Sequence, residues 1–174
     1  MREFAADPPI EKRVGEALDV AGESVATAES CTGGLVASLL TDVPGSSAYF
    51  DRGTVTYSYD SKRAQLAVTR EDLDAHGAVS EPVARQMARG IRDVADVDWG
   101  VSTTGVAGPG GGTDDTPVGT AFIGVAYAAP WGTEASFARV ERIQVSGDRL
   151  AVKEQFAREA LSLLLATLEE RETE

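Results

Sequence analysis

The sequence holds one cysteine and one histidine in 174 residues. A single thiol closes no internal disulfide, and Cys31 with His76 makes no conventional zinc site. No apolar run approaches the ~20 residues that span a bilayer as a helix. The first residues also lack the basic-plus-apolar pattern of a leader, so a cytoplasmic location is expected. Lysine is scarce as well: only Lys12, Lys62 and Lys153 among sixteen basic residues. Against them stand 28 acidic residues, for a net charge of −12. Both nucleic acid and anionic membranes need a basic footprint, so neither is expected as a partner. The acidic, lysine-poor composition suggests adaptation to high salt.

What is present is an apolar content of 43%, enough for a core in a single domain spanning 1–174, with loose ends expected at 1–7 and 170–174. Pro8-Pro9 precedes a helix near Ile10–Ala21 with Val14, Ala17, Leu18 and Ala21 on its apolar face. Ser24–Thr27 reads as a short strand, and Leu35, Val36, Leu39 and Leu40 predict a helix starting near Thr32. β-Branched and aromatic residues from Tyr49 to Ser58 predict a second strand, with Tyr57 and Tyr59 on one face of it. Short helices follow, one capped by Asp60 and one over Arg70–His76. Ser80-Glu81-Pro82 opens a clearer helix carrying Val83, Met87, Ile91 and Val94 on one stripe. Strands are expected at Asp98–Thr104, Val118–Ala128 and Ser136–Val145, the last two as a hairpin. Gly147-Asp148-Arg149 then opens a long helix whose face includes Leu150, Phe156, Leu161, Leu164 and Leu168. This alternation predicts an α/β fold, a three-layer α/β/α domain, and the hairpin makes its sheet mixed.

The chain is organised around Ala28-Glu29-Ser30-Cys31-Thr32-Gly33-Gly34, where a strand is expected to turn into a helix. Free N–H groups and the positive end of the helix dipole are expected to converge there. Such a turn stabilises an oxyanion or a phosphate and exposes a nucleophile. The residues alone leave two nucleophiles open, the Ser30 hydroxyl and the Cys31 thiol. With His76 alone just before a glycine turn, a Ser-His-Asp arrangement has no support. A lysine whose pKa is lowered by burial serves as a base where arginine cannot.

Five ordered motifs run through nearly the whole chain: AESCTGG from Ala28, FDRGTVTYSYDSK from Phe50, GAVSEPVA from Gly77, TGVAGPGGG from Thr104 followed by PVGT, and GDR from Gly147. In these the chain resembles the CinA carboxy-terminal domain family, in its stand-alone form. Members of that family include nicotinamide mononucleotide deamidases, some fused behind a second domain. The resemblance implies a serine nucleophile at Ser30 working with Tyr57 and Lys62, and selects Tyr57 over Tyr59. It also implies that Cys31 is a packed side chain, and it favours a homodimer or larger homo-oligomer.

Backbone amides at the Ser30 turn, from Cys31, Thr32 or Gly33, are expected to hold an oxyanion. The glycine-rich stretch after Thr104 lacks the Gly-Lys-Ser/Thr of a P-loop, yet Gly105, Gly108, Gly110 and Gly111 allow close approach to a ligand. Thr104 supplies a hydroxyl at the strand end, where family members often carry serine. A phosphorylated substrate needs its own donors in so acidic a protein; Arg149 is the first candidate and Arg52 the second. Asp114-Asp115 reads as a solvated loop, and no metal or cofactor is expected. The activity that the resemblance implies is hydrolysis of nicotinamide mononucleotide to nicotinic acid mononucleotide and ammonia. The alternatives are a non-catalytic nucleotide-binding or partner module of the same fold, or an amidase for a different amide.

Overall fold

A computed structural model describes residues 3–173. The loose ends expected at 1–7 and 170–174 include residues 1, 2 and 174, which lie outside the described residues. In chain order the elements are α1 (Ile10–Ala21), β1 (Val25–Glu29), α2 (Leu35–Thr41), β2 (Phe50–Val55) and α3 (Tyr59–Leu66). They continue with α4 (Arg70–His76), α5 (Glu81–Ala95), β3 (Trp99–Gly105), β4 (Thr120–Tyr127), β5 (Phe137–Gln144) and α6 (Arg149–Glu172).

The five strands form one sheet in the order β2-β1-β3-β4-β5. β2, β1 and β3 run parallel, whereas β4 and β5 pair antiparallel, so the sheet is mixed. β1 is buried along its whole length and its side chains alternate between two cores. Val25 joins the cluster beneath α1, α2 and α6, which includes Leu18, Leu40, Trp99, Leu161 and Leu164. Ala26 and Ala28 join the opposite cluster with Leu66, Leu73, Met87 and Ile91, beneath α3, α4 and α5. Small residues let α5 settle directly on the sheet. Ser102 Oγ donates to the Ala84 carbonyl at 2.7 Å, and a Cβ on Gly100 would fall 2.1 Å from the Ala88 carbonyl oxygen. The fold is therefore α/β with helices on both faces of a mixed sheet.

Several expected boundaries move, each for a local reason. α2 begins at Leu35 rather than Thr32, because Gly33 and Gly34 adopt left-handed backbone, φ +64° and +97°, and form a turn. β2 ends at Val55, so Tyr57 and Tyr59 share no strand face: Tyr57 lies in the connection and Tyr59 opens α3. Ser58, not Asp60, caps that helix, its hydroxyl accepting from Ser61 N–H at 3.1 Å while Ser61 Oγ accepts from Ser58 N–H. On α5 Val83, Met87 and Ile91 are buried as expected, joined by Ala84, Ala88 and Ala95, whereas Val94 is 56% exposed. Leu150, in the first turn of α6, is 54% exposed and forms the rim of a surface recess instead of core. Among the described residues no helix is long and apolar enough to cross a membrane.

Candidate active site

Parallel strands β1 and β3 end side by side, and the chain after β2 joins them. Ser30 N–H donates to the Thr103 carbonyl at 2.9 Å, and Thr56 N–H donates to the Glu29 carbonyl at 2.8 Å. Three chain ends are thereby stitched together at the carboxyl edge of the sheet, where open α/β sheets present their ligand crevices.

Lys62 enters this edge from the first turns of α3. Its Nζ donates to Ser30 Oγ at 3.0 Å and to the Thr56 carbonyl at 2.7 Å. The side chain is completely sealed from solvent, and burial lowers the amine from 10.5 to about 8. Cys31, the adjacent residue, shows the opposite effect. It packs near Ala107, Ala121 and Phe156, and burial pushes its thiol up to about 12. Near neutral pH Cys31 is therefore a protonated, packed side chain, while Ser30 has an amine directly on its hydroxyl.

Glu29 has a function that the sequence reading did not find. Its buried carboxylate accepts from Gly34 N–H at 2.9 Å, Val36 N–H at 3.1 Å, Ala37 N–H at 2.8 Å and Thr32 Oγ1 at 2.6 Å. The Gly34, Val36 and Ala37 amides at the opening of α2 are thus occupied by the protein's own carboxylate. Thr32 also contacts Thr103 Oγ1 at 2.7 Å, so it points behind the site. Thr32 and Gly33 line a separate recess with Ser38 and Lys153, away from Ser30. The available signal was a single acid closing the otherwise small, apolar run Val25–Ala28, five residues before Gly34.

A cleft of about 280 Å³ opens over Ser30. Of the expected site residues, Ser30, Cys31, Tyr57, Lys62, Thr104, Gly105, Gly108, Gly110, Gly111 and Arg149 line it. Ala78, Val79, Val106 and Ala107 do so as well, and were missed because apolar lining carries no sequence signature. Arg52 does not reach the cleft. It sits on the edge strand β2, paired with its neighbour Asp51. His76 closes α4, 3.8 Å from Asp72, and also lies outside the cleft lining.

Arg149 stands at the mouth. The Asp148 side chain caps α6 by accepting from the Leu150 and Ala151 N–H groups, which fixes the stem of the arginine. Its guanidinium donates to the Gly108 carbonyl and, at 3.2 Å, to the Tyr57 hydroxyl. Tyr57 is 63% exposed, so its phenol belongs to the rim with Arg149 and not to the buried Ser30–Lys62 pair. Deeper in, Thr104 is almost fully buried and its hydroxyl donates to the Ala78 carbonyl at 2.7 Å. Among the described residues no group of three His, Cys, Asp or Glu side chains is placed to hold a metal ion.

The sequence model described as the CinA C-terminal domain matches residues 7–168. The chain belongs to the CinA C-terminal domain family. It is 52% identical over 158 residues to a CinA-like protein of Chloroherpeton thalassium, covering 91% of this chain and 37% of that protein. A CinA-like protein of an Anaeromyxobacter species is 54% identical over 151 residues, covering 87% of this chain and 35% of the relative. The chain thus spans about a third of the length of the curated relatives it matches. Among solved structures, a CinA-superfamily protein from Klebsiella pneumoniae superposes with a TM-score of 0.84 at 37% identity, covering 92% of this chain and 96% of that one. The competence/damage inducible protein CihA of Agrobacterium tumefaciens gives 0.86 at 37% identity, covering 97% and 99%.

Proposed function

We propose that this CinA-family chain is a serine amidohydrolase acting on nicotinamide mononucleotide, releasing ammonia and nicotinic acid mononucleotide. The observation that carries this reading is the buried Lys62 amine at 3.0 Å from the Ser30 hydroxyl. With its pKa near 8, roughly one lysine in ten is neutral at pH 7, against fewer than about one in a thousand at the ordinary value. Neutral Lys62 takes the hydroxyl proton as Ser30 Oγ attacks the carboxamide carbon. The oxyanion is assigned to backbone amides of the Ser30 turn, with Cys31 N–H the first candidate; Glu29 takes the Gly34, Val36 and Ala37 amides further along. The Lys62 ammonium then returns the proton to the nitrogen as the C–N bond breaks and ammonia leaves. Water, deprotonated by Lys62, cleaves the acyl-enzyme and restores Ser30.

This route passes the proton directly between Ser30 and Lys62. Tyr57 then acts on the substrate rim beside Arg149, not as a relay, consistent with its hydrogen bond and exposure. The phosphate is assigned to Arg149 with the loop amides around Gly108–Gly111, at the open end of the cleft. A cytoplasmic homo-oligomer working at high salt completes the proposal. The test is ammonia release in molar potassium chloride, with nicotinamide mononucleotide and free nicotinamide compared side by side. Release from the mononucleotide supports the reading; binding without turnover points to a non-catalytic module, and turnover of a different amide only points to another amidase.

A further inference from the structure

Ser30 and Thr104 are neighbours across two strands. In the parallel pairing of β1 with β3, Glu29 lies opposite Thr103, and successive residues alternate faces. Glu29 and Thr103 both meet Thr32 on the α2 side. Ser30 and Thr104, one step on, turn to the other side, where Ser30 meets Lys62 of α3 and Thr104 meets Ala78 ahead of α5. Adjacent strands lie about 4.8 Å apart, and both side chains line the same cleft.

A threonine hydroxyl has one hydrogen. In Thr104 that hydrogen is committed to the Ala78 carbonyl at 2.7 Å, in a setting only 1% exposed. Ala78 is itself held, its N–H, in the preceding peptide group, donating to the Tyr59 hydroxyl at 3.2 Å. Turning the Thr104 hydrogen toward a ligand would strand this carbonyl without its partner. Thr104 therefore offers the cleft lone pairs and no hydrogen.

We propose that Thr104 is a specificity residue that accepts an N–H of the substrate carboxamide and disfavours the carboxylate product, which has no hydrogen to give. The inference rests on the amide reading of the site and assigns its discrimination between substrate and product. An ionised carboxylate placed against this oxygen sets acceptor against acceptor, so the acid leaves the site that held the amide. The same contact orients the amide nitrogen, which is the leaving group.

The test measures binding by calorimetry in a Ser30→Ala protein, which cannot turn substrate over, using nicotinamide mononucleotide and nicotinic acid mononucleotide. The Ser30→Ala protein is expected to prefer the amide. Adding Thr104→Val, which keeps the branched shape but removes the hydroxyl, is expected to narrow the amide-to-acid ratio by about tenfold, chiefly through weaker amide binding. Adding Thr104→Ser instead is expected to preserve the ratio. Thr104→Ala serves as the second hydroxyl-free variant should valine fail to fold, as judged by circular dichroism. An unchanged ratio without the hydroxyl, or a ratio lost equally in the serine variant, overturns the inference. Failure of the unmodified protein to release ammonia, with the amide preference intact, overturns the amidohydrolase reading alone. Binding of neither mononucleotide overturns both.

Discussion

The Lys62 amine sits 3.0 Å from the Ser30 hydroxyl with no exposure to solvent, so the cation on that hydroxyl is one that burial makes ready to lose its proton. Arginine in the same place would be a charge without that ability. Lys62→Arg is accordingly expected to be nearly as inactive as Lys62→Ala, with a loss on the order of 10²–10⁴ in kcat. For the unmodified protein, kcat/KM rises with pH and levels off above about 8, as the lysine loses its proton. Near-normal turnover in Lys62→Arg would reduce the lysine to an electrostatic cation.

The same residue carries a stability signature. Its folded pKa, about 8, lies below the ordinary 10.5, so between these values the unfolded chain binds more protons than the folded one. Stability from this group is therefore least below pH 8 and rises through the window to pH 10.5, by on the order of 3 kcal/mol. Relative to Lys62→Met, the unmodified protein should gain in urea unfolding free energy as pH rises across that window. A constant difference between the two proteins would mean that the amine is not perturbed.

Arg149 is held at the rim by the Gly108 carbonyl and the Tyr57 hydroxyl. Arg149→Ala should raise KM for the mononucleotide by about 10–100-fold, the worth of a hydrogen bond to a charged group, and alter turnover of free nicotinamide far less. Steady-state kinetics on the two substrates decides this. Equal effects on both would move the phosphate site elsewhere.

Packing behind the site also sets its chemistry. A Cβ on Gly90 of α5 would lie 2.2 Å from the carbonyl oxygen of Leu66, the last residue of α3. Since backbone cannot swing aside as a side chain does, Gly90→Ala must push α3, and Lys62 with it. The variant should lose about 1–3 kcal/mol in denaturant unfolding and lose kcat more than KM. An unaltered kcat would show that α3 does not fix the lysine.

Much of this arrangement was legible in the sequence because it is local. Apolar spacing marks α1 and α5, β-branched runs mark the strands, and the Pro-Trp-Gly connection marks the hairpin that mixes the sheet. Ser30 and Lys62 were readable as a pair only through the family motifs, since 32 residues separate them and nothing periodic links them. Glu29 was not readable in its actual role. Its partners are backbone N–H groups whose availability depends on where α2 begins, and two left-handed glycines moved that start by one turn. The tyrosines fell to the same kind of local competition: a serine capping box at Ser58 ends the extended run before Tyr57 and Tyr59 can alternate along it.

Attack on a carboxamide is proposed for Ser30 and not for the neighbouring thiol. It is tested most directly by measuring ammonia release from nicotinamide mononucleotide by the unmodified protein, Ser30→Ala and Cys31→Ala under identical high-salt conditions. The unmodified protein is expected to give stoichiometric ammonia and nicotinic acid mononucleotide, and Ser30→Ala none above background. Cys31→Ala, which keeps the same backbone N–H, retains most of the turnover. Full activity in Ser30→Ala, or its loss in Cys31→Ala with Ser30 intact and the fold preserved, would contradict it.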